Sequence, residues 1–308
     1  MTEGFDFKVE KEMLELSDGG RVAIRRWGGA KRERIVLSHG NGLAIDGFYQ
    51  FAQELMADFE VVVFDMRSHG QSGPGEVMEN PWPRFVKDIP EIYDSIQGRF
   101  GEKPTHGAFH SLSSVATLLA QSREPRGWRS LTLYEPPVPP VADAALLEEF
   151  VASHKELSRR TRARRRTFSG PERLVTSLRR SPTFGGIPNE VIERMAAGML
   201  YYAGNDPEAP YELVCDPDLE ANTFDIRLPR EWWDAIGTVT VPVQVVVGTT
   251  LGHDLPGLIR SAGFLAQTFG FECAAVEGGG HLMQMQRPHR CAEHAVRFAT
   301  AKSENNAA

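Results

Sequence analysis

Gly107-Ala108-Phe109-His110-Ser111-Leu112-Ser113-Ser114 runs directly into the helical pattern Val115–Ala120. A short apolar strand that turns sharply into a helix holds its turn residue out toward solvent. Ser111 occupies that turn. It also lies beside a helix N-terminus, where unbonded amide N–H groups favour negative charge. Taken alone, the stretch reads equally as a plain N-cap serine. What decides between the two readings is the company the stretch keeps along the chain.

Three other features share its order. Upstream, Ile35-Val36-Leu37 ends in Ser38-His39-Gly40-Asn41-Gly42, a strand followed by a Gly-rich loop whose backbone can approach a ligand closely. Next, Val61-Val62-Val63-Phe64 leads into Asp65-Met66-Arg67-Ser68-His69-Gly70-Gln71-Ser72, read as structural, with His69 a satisfied loop histidine. Downstream, Ala274-Ala275-Val276 passes through Glu277-Gly278-Gly279-Gly280 to His281. A serine followed by an acid and then a histidine, each presented at a strand end, is a pattern for nucleophilic catalysis.

Around these motifs the chain alternates strand and helix. Lys11–Leu16 and Arg21–Trp27 alternate apolar and polar residues and form a hairpin across Ser17-Asp18-Gly19-Gly20. Continuous runs at Ile35–Leu37, Val61–Phe64, Leu131–Tyr134, Val243–Val247 and Cys273–Val276 read as strands buried on both faces, as in a parallel sheet. Helical patterns at Phe48–Ala57, Phe85–Gln97, Ser113–Ala120 and Leu255–Thr268 separate them. After Tyr134 the alternation stops. Pro136-Pro137-Val138-Pro139-Pro140 excludes helix, and 142–236 then reads as helices with no strong strand signal before strand-like residues resume at Val239. The division expected is a core of 1–141 and 237–308 with a helical cap at 142–236.

The sequence resembles the α/β-hydrolase superfamily over almost its whole length. Ser-His-Gly-Asn-Gly (38–42) is similar to the oxyanion loop and Asp-Met-Arg-Ser-His-Gly-Gln-Ser (65–72) to the D-x-R-G-H-G-x-S element. His110-Ser111-Leu112 is similar to the centre of G-H-S-x-G, and Gly280-His281 to the terminal histidine. Phe109 and Ser113 depart from the pattern, standing where it has glycines. The resemblance implies an α/β fold with an eight-stranded, mostly parallel sheet and an inserted helical cap. It implies Ser111 as nucleophile, His281 as base, and the backbone N–H groups of Asn41 and Leu112 as oxyanion donors. The acid is expected a few residues after Val243–Val247, at Asp254, with Glu135 at the end of the sixth strand as the alternative.

The expected activity is hydrolysis of an ester or related acyl bond through an acyl-enzyme. C–C bond hydrolysis, lactonase or cofactor-free oxygenase chemistry on the same residues, and ligand binding with vestigial hydrolysis, are the alternatives. Ser111 excludes the relatives that use an aspartate nucleophile. No cofactor and no metal are expected, and the expected partner is a small molecule with an apolar acyl or ring portion.

Composition narrows the remaining classes. The 308 residues are 41% hydrophobic and 24% charged, with a net charge of −7, and no apolar run approaches the ~20 residues of a membrane span. Cys215, Cys273 and Cys291 show no metal-ligand spacing, and the polar N-terminus has no apolar leader, so reduced thiols and a cytoplasmic location are expected. Lys155, Arg159, Arg160, Arg162, Arg164, Arg165, Arg166, Arg173, Arg179 and Arg180 form a basic stretch opposed by Glu156 and Glu172. It reads as a solvated face or as a site for an anionic substrate or partner, and the overall acidic balance argues against nucleic acid. A homodimer is left open.

Overall fold

Val61-Val62-Val63-Phe64 shows how the chain builds its sheet. Successive side chains of a strand point to opposite faces. Val62 and Phe64 join one buried cluster while Val61 and Val63 join another. Ile35 and Leu37 likewise fall on one side and Val36 on the other. Both faces are therefore covered, and this accounts for the unbroken β-branched runs.

The computed structural model describes residues 9–226, 228–249 and 256–305. Its main sheet uses β1 (Glu10–Glu15), β2 (Arg21–Trp27), β3 (Arg34–Ser38), β4 (Glu60–Phe64), β5 (Thr105–His110) and β6 (Trp128–Tyr134). Beyond the short strands β7 (Thr167–Phe168), β8 (Leu200–Tyr202) and β9 (Tyr211–Leu213), it is completed by β10 (Val243–Gly248) and β11 (Glu272–Val276). The eight strands lie in the order β1-β2-β4-β3-β5-β6-β10-β11. The β1–β2 and β2–β4 pairs are antiparallel, and every other pair is parallel.

Helices α1 (Tyr49–Leu55), α2 (Trp82–Phe100) and α3 (Leu112–Arg123) connect the first half of the sheet. The segment between β6 and β10 carries α4 (Ala144–Arg162), α5 (Pro171–Leu178), α6 (Asn189–Gly198), α7 (Pro217–Phe224) and α8 (Arg230–Ile236). Then α9 (Pro256–Phe269) precedes β11, and α10 (Met283–Gln286) and α11 (Pro288–Asn305) close the chain. Phe85, Ile89, Leu118 and Ile236 pack on one face of the sheet, and Phe51, Leu55 and Ala295 on the other.

The inserted segment corrects one expectation. It is not wholly helical, because β7, β9 and β8 form a small antiparallel sheet of their own. These strands are two or three residues long, too short for alternation to show in the sequence. Among the described residues, no helix is long and apolar enough to cross a membrane.

Candidate active site

Ser111 sits between β5 and α3 with φ 50° and ψ −111°. A non-glycine residue at positive φ is strained and persists only where its surroundings hold it. Ser113 supplies part of the hold: its hydroxyl donates to the His110 carbonyl at 3.0 Å and accepts the His110 amide at 3.1 Å. The Ser114 hydroxyl donates to the Phe109 carbonyl at 2.7 Å. So Ser113, one of the two departures from the glycine pattern, ties the turn together.

Phe109, the other departure, is fully buried, with its ring 5.6 Å from that of Trp128 and 6.2 Å from that of Phe64. Room for it comes from Gly107, two residues back on the same face. A Cβ at Gly107 would lie 2.4 Å from the Phe109 ring and 2.8 Å from Leu131 Cδ2. The small residue required near the elbow has moved along the strand.

His281 follows the glycine run after β11. A Cβ on Gly248 would meet the Gly279 carbonyl at 2.4 Å, so the end of β10 must be glycine for that run to lie against it. Gln286 fixes the loop from the other side, accepting the Gly280 amide at 2.7 Å and donating to the Gly185 carbonyl at 2.7 Å. His281 Nδ1 lies 2.7 Å from Glu135 Oε2. Glu135 is fully buried, with φ 42°, and its Oε1 accepts the Gly248 amide at 2.9 Å. The structure thus brings the alternative acid onto His281. Asp254, the acid expected first, and its neighbour His253 lie outside the described residues.

Ser111, His281, Asn41 and Leu112 all line one cavity of about 550 Å³. Leu112 opens α3, where the first amides have no carbonyl one turn back to bond. The Asn41 side chain donates to the Glu220 carbonyl at 2.8 Å, joining the Gly-rich loop to α7 of the inserted segment. His110 Nε2 lies 2.9 Å from the His281 carbonyl, and the two rings stand 4.7 Å apart.

The second Gly-rich element supports the first. His69 Nε2 accepts the Gly42 amide at 3.0 Å, and its Nδ1 donates to the Arg67 carbonyl at 2.8 Å. Burial lowers the His69 pKa to about 3, with the neighbouring His39 acting in the same direction, so the ring is neutral and structural. Asp65 is fully buried. Burial alone would raise its pKa, but His39, Arg25 and the Ile45 amide outweigh that and hold it below the usual carboxylate range. A charged Asp65 thereby pins the loops after β3 and β4 to one another. Among the described residues, no three His, Cys, Asp or Glu side chains are grouped to hold a metal ion.

The fold and this arrangement define the class. The sequence matches the alpha/beta hydrolase family over residues 35–294, and the chain belongs to that family. It is 27% identical to monoglyceride lipase of Rattus norvegicus over 123 residues, 39% of this chain and 41% of the relative. Monoglyceride lipase of Homo sapiens matches to the same extent, so this chain spans about two fifths of the length of these relatives.

Among solved structures, E-2-(acetamidomethylene)succinate hydrolase has a TM-score of 0.73 at 17% identity, covering 95% of this chain and 99% of its own. A thioesterase domain from the curacin biosynthetic pathway has a TM-score of 0.70 at 17% identity, covering 94% and 99%. The peroxisomal alpha-beta-hydrolase Lpx1 from Saccharomyces cerevisiae has a TM-score of 0.73 at 16% identity, covering 96% and 90%. At these identities the likeness is one of fold.

Proposed function

We propose that the chain is a serine hydrolase that cleaves an ester or related acyl bond through an acyl-enzyme, with Ser111 as nucleophile, His281 as base and Glu135 as acid. The observation that carries this reading is the 2.7 Å contact between His281 Nδ1 and Glu135 Oε2 in the cavity that also exposes Ser111. Glu135 holds the proton on Nδ1, which leaves the Nε2 lone pair to act as base.

Ser111 Oγ attacks the acyl carbon and passes its proton to His281 Nε2. The oxyanion that forms is met by the Asn41 and Leu112 amides, each donor worth roughly 3–4 kcal/mol in comparable sites. Collapse expels the alcohol or thiol, which takes the proton from His281. Water then repeats the sequence on the acyl-enzyme and releases the acid.

The inserted segment 142–236 acts as a cap. It supplies Leu157, Phe168, Leu178 and Phe184 to the cavity wall, a surface suited to an apolar acyl or ring portion. The lipase and thioesterase names among the relatives support acyl-bond cleavage as the reaction class. The buried thiols of Cys215 and Cys291 fit a reducing, cytoplasmic setting.

A fluorophosphonate probe tests the proposal. The wild-type protein should label at Ser111, and Ser111→Ala should lose both the label and roughly 10⁶ of turnover while keeping its thermal transition. Labelling of another serine in its place would overturn the assignment.

A further inference from the structure

The basic stretch divides into paired and unpaired arginines. Arg159 meets Glu156 at 2.7 Å, Arg162 meets Asp218 at 3.3 Å, and Arg166 meets Asp216 at 2.6 Å and Asp218 at 2.8 Å. Arg164 is paired with Glu220. Among the described residues Arg160, Arg165 and Arg180 form no ion pair within 4 Å, and of the three only Arg160 lies near enough to a carboxylate, Glu156, to help lower its pKa. These same three line the cavity that holds Ser111 and His281.

Depth separates the two groups of residues. Ser111 is 7% exposed, whereas the three arginines are exposed, so the cavity runs from a buried serine to a cationic rim. Leu157, Phe168 and Leu178 lie along the same wall. Among the described lining residues Glu220 is the only acid. Burial raises its pKa, and Arg164 beside it opposes that rise. The lining histidine His154 is held neutral by burial, with its pKa lowered to about 4. The rim thus carries a net positive charge at the solvent-facing mouth of a concave cavity whose apolar walls focus its field.

From this we infer that the substrate carries an anionic group, a carboxylate or a phosphate, at the end remote from the bond cleaved at Ser111. Arg160, Arg165 and Arg180 seat that group, and the apolar wall takes the chain between. The inference rests on the hydrolase reading for the position of the scissile bond, and on the cavity alone for the anion.

The test compares p-nitrophenyl octanoate with the same ester bearing a terminal carboxylate or a terminal phosphate. Wild type should favour an anionic ester in kcat/KM by about tenfold, mainly through KM, as expected for a few partly solvated ion pairs. The preferred arm identifies the anion. Arg160→Gln/Arg165→Gln/Arg180→Gln should lose the preference, its kcat/KM falling about tenfold for the anionic ester and far less for the neutral one, with an unchanged thermal transition showing that it folds.

Should that variant fail to fold, salt decides on wild type. Raising ionic strength from about 0.01 to 1 M shortens the Debye length from about 30 to 3 Å and should weaken the anionic ester alone. Equal kcat/KM for neutral and anionic esters in wild type, or a preference that survives in the triple variant, overturns the inference. If none of the esters is hydrolysed, the hydrolase reading fails by itself. Calorimetric binding of suberate against octanoate, to wild type and to the triple variant, then decides the anion site separately.

Discussion

The carboxylate of Glu135 reaches His281 Nδ1 at 2.7 Å from the end of β6, the strand between those that carry Ser111 and lead to the loop after β10. Glu135→Gln keeps the side-chain shape but removes the charge that, on the proposed mechanism, fixes the imidazole tautomer. It should cost roughly 10⁴ in kcat with little change in KM. Asp254→Asn should cost far less. Steady-state kinetics of the two variants on one ester decide the matter, and a larger loss at Asp254 would return the role of acid to the loop after β10.

Gly107 and Phe109 should behave as one unit. Gly107→Ala places a methyl against the Phe109 ring and Leu131, and overpacking of this kind costs about 1–3 kcal/mol. Phe109→Leu on its own should cost a similar amount through lost contacts. The double variant should be less destabilised than the sum, because the leucine leaves space for the methyl. Urea unfolding of all four proteins gives the coupling, and strict additivity would mean that the glycine serves something other than the ring.

His154 offers a stability test by pH. It is buried in α4 and stacked on Phe150 with ring centroids 3.8 Å apart. Burial lowers its pKa from 6.5 to about 4. The unfolded chain therefore takes up this proton at higher pH than the folded chain does. The contribution to stability is complete above about pH 6.5 and is lost as pH falls toward 4, by about 3 kcal/mol in all. His154→Phe keeps the stacking and removes the proton. Its unfolding free energy should fall less between pH 6.5 and 4 than that of wild type, and identical pH dependence would show that His154 is not the titrating group.

The Arg164–Glu220 pair should hold the Gly-rich loop to the inserted segment, because the Glu220 carbonyl accepts from Asn41. Arg164→Ala leaves a buried carboxylate without its cation and should cost about 3 kcal/mol, somewhat less given that Arg164 is partly exposed. Arg164→Ala/Glu220→Gln should recover most of that loss. If thermal melting shows the double variant to be no better than the single, the cost comes from lost packing and not from the stranded charge.

Much of the architecture was legible because its cause is local. Val61–Phe64 and Val243–Val247 read as buried strands since a strand covered on both faces needs no polar residue. Pro136–Pro140 marked the start of the insertion because four prolines in five residues remove too many amide donors for a helix to form, whereas a single proline is tolerated, as Pro90 is within α2. The turns that present Ser111 and His281 were legible too, the first as a strand running straight into a helix and the second as a glycine run after a strand.

The carboxylate that meets His281 was harder to read. Glu135 and Asp254 both follow apolar strands, and only the three-dimensional order β6-β10-β11 brings Glu135 near the His281 loop. Its signal was a carboxylate directly between a buried strand and a proline run, where solvent gives it no reason to be. The Gly107–Phe109 exchange left a signal too, since residues two apart share a strand face. The strands at Leu200–Tyr202 and Tyr211–Leu213 left none, because segments of three residues are too short for alternation to show.

Ser111 and Glu135 are also joined through the backbone. The Ser111 amide donates to the Tyr134 carbonyl at 3.0 Å, and the Glu135 amide to the Val246 carbonyl at 2.9 Å. Two strained residues at neighbouring strand ends are thus riveted to the most deeply buried part of the sheet. Reactivity and selectivity then have separate thermal lifetimes. On the proposed reading of Ser111 as nucleophile under a cap, fraying of the inserted segment on gentle heating should admit wrong substrates before the serine loses its reactivity, so that the protein turns promiscuous before it turns inert.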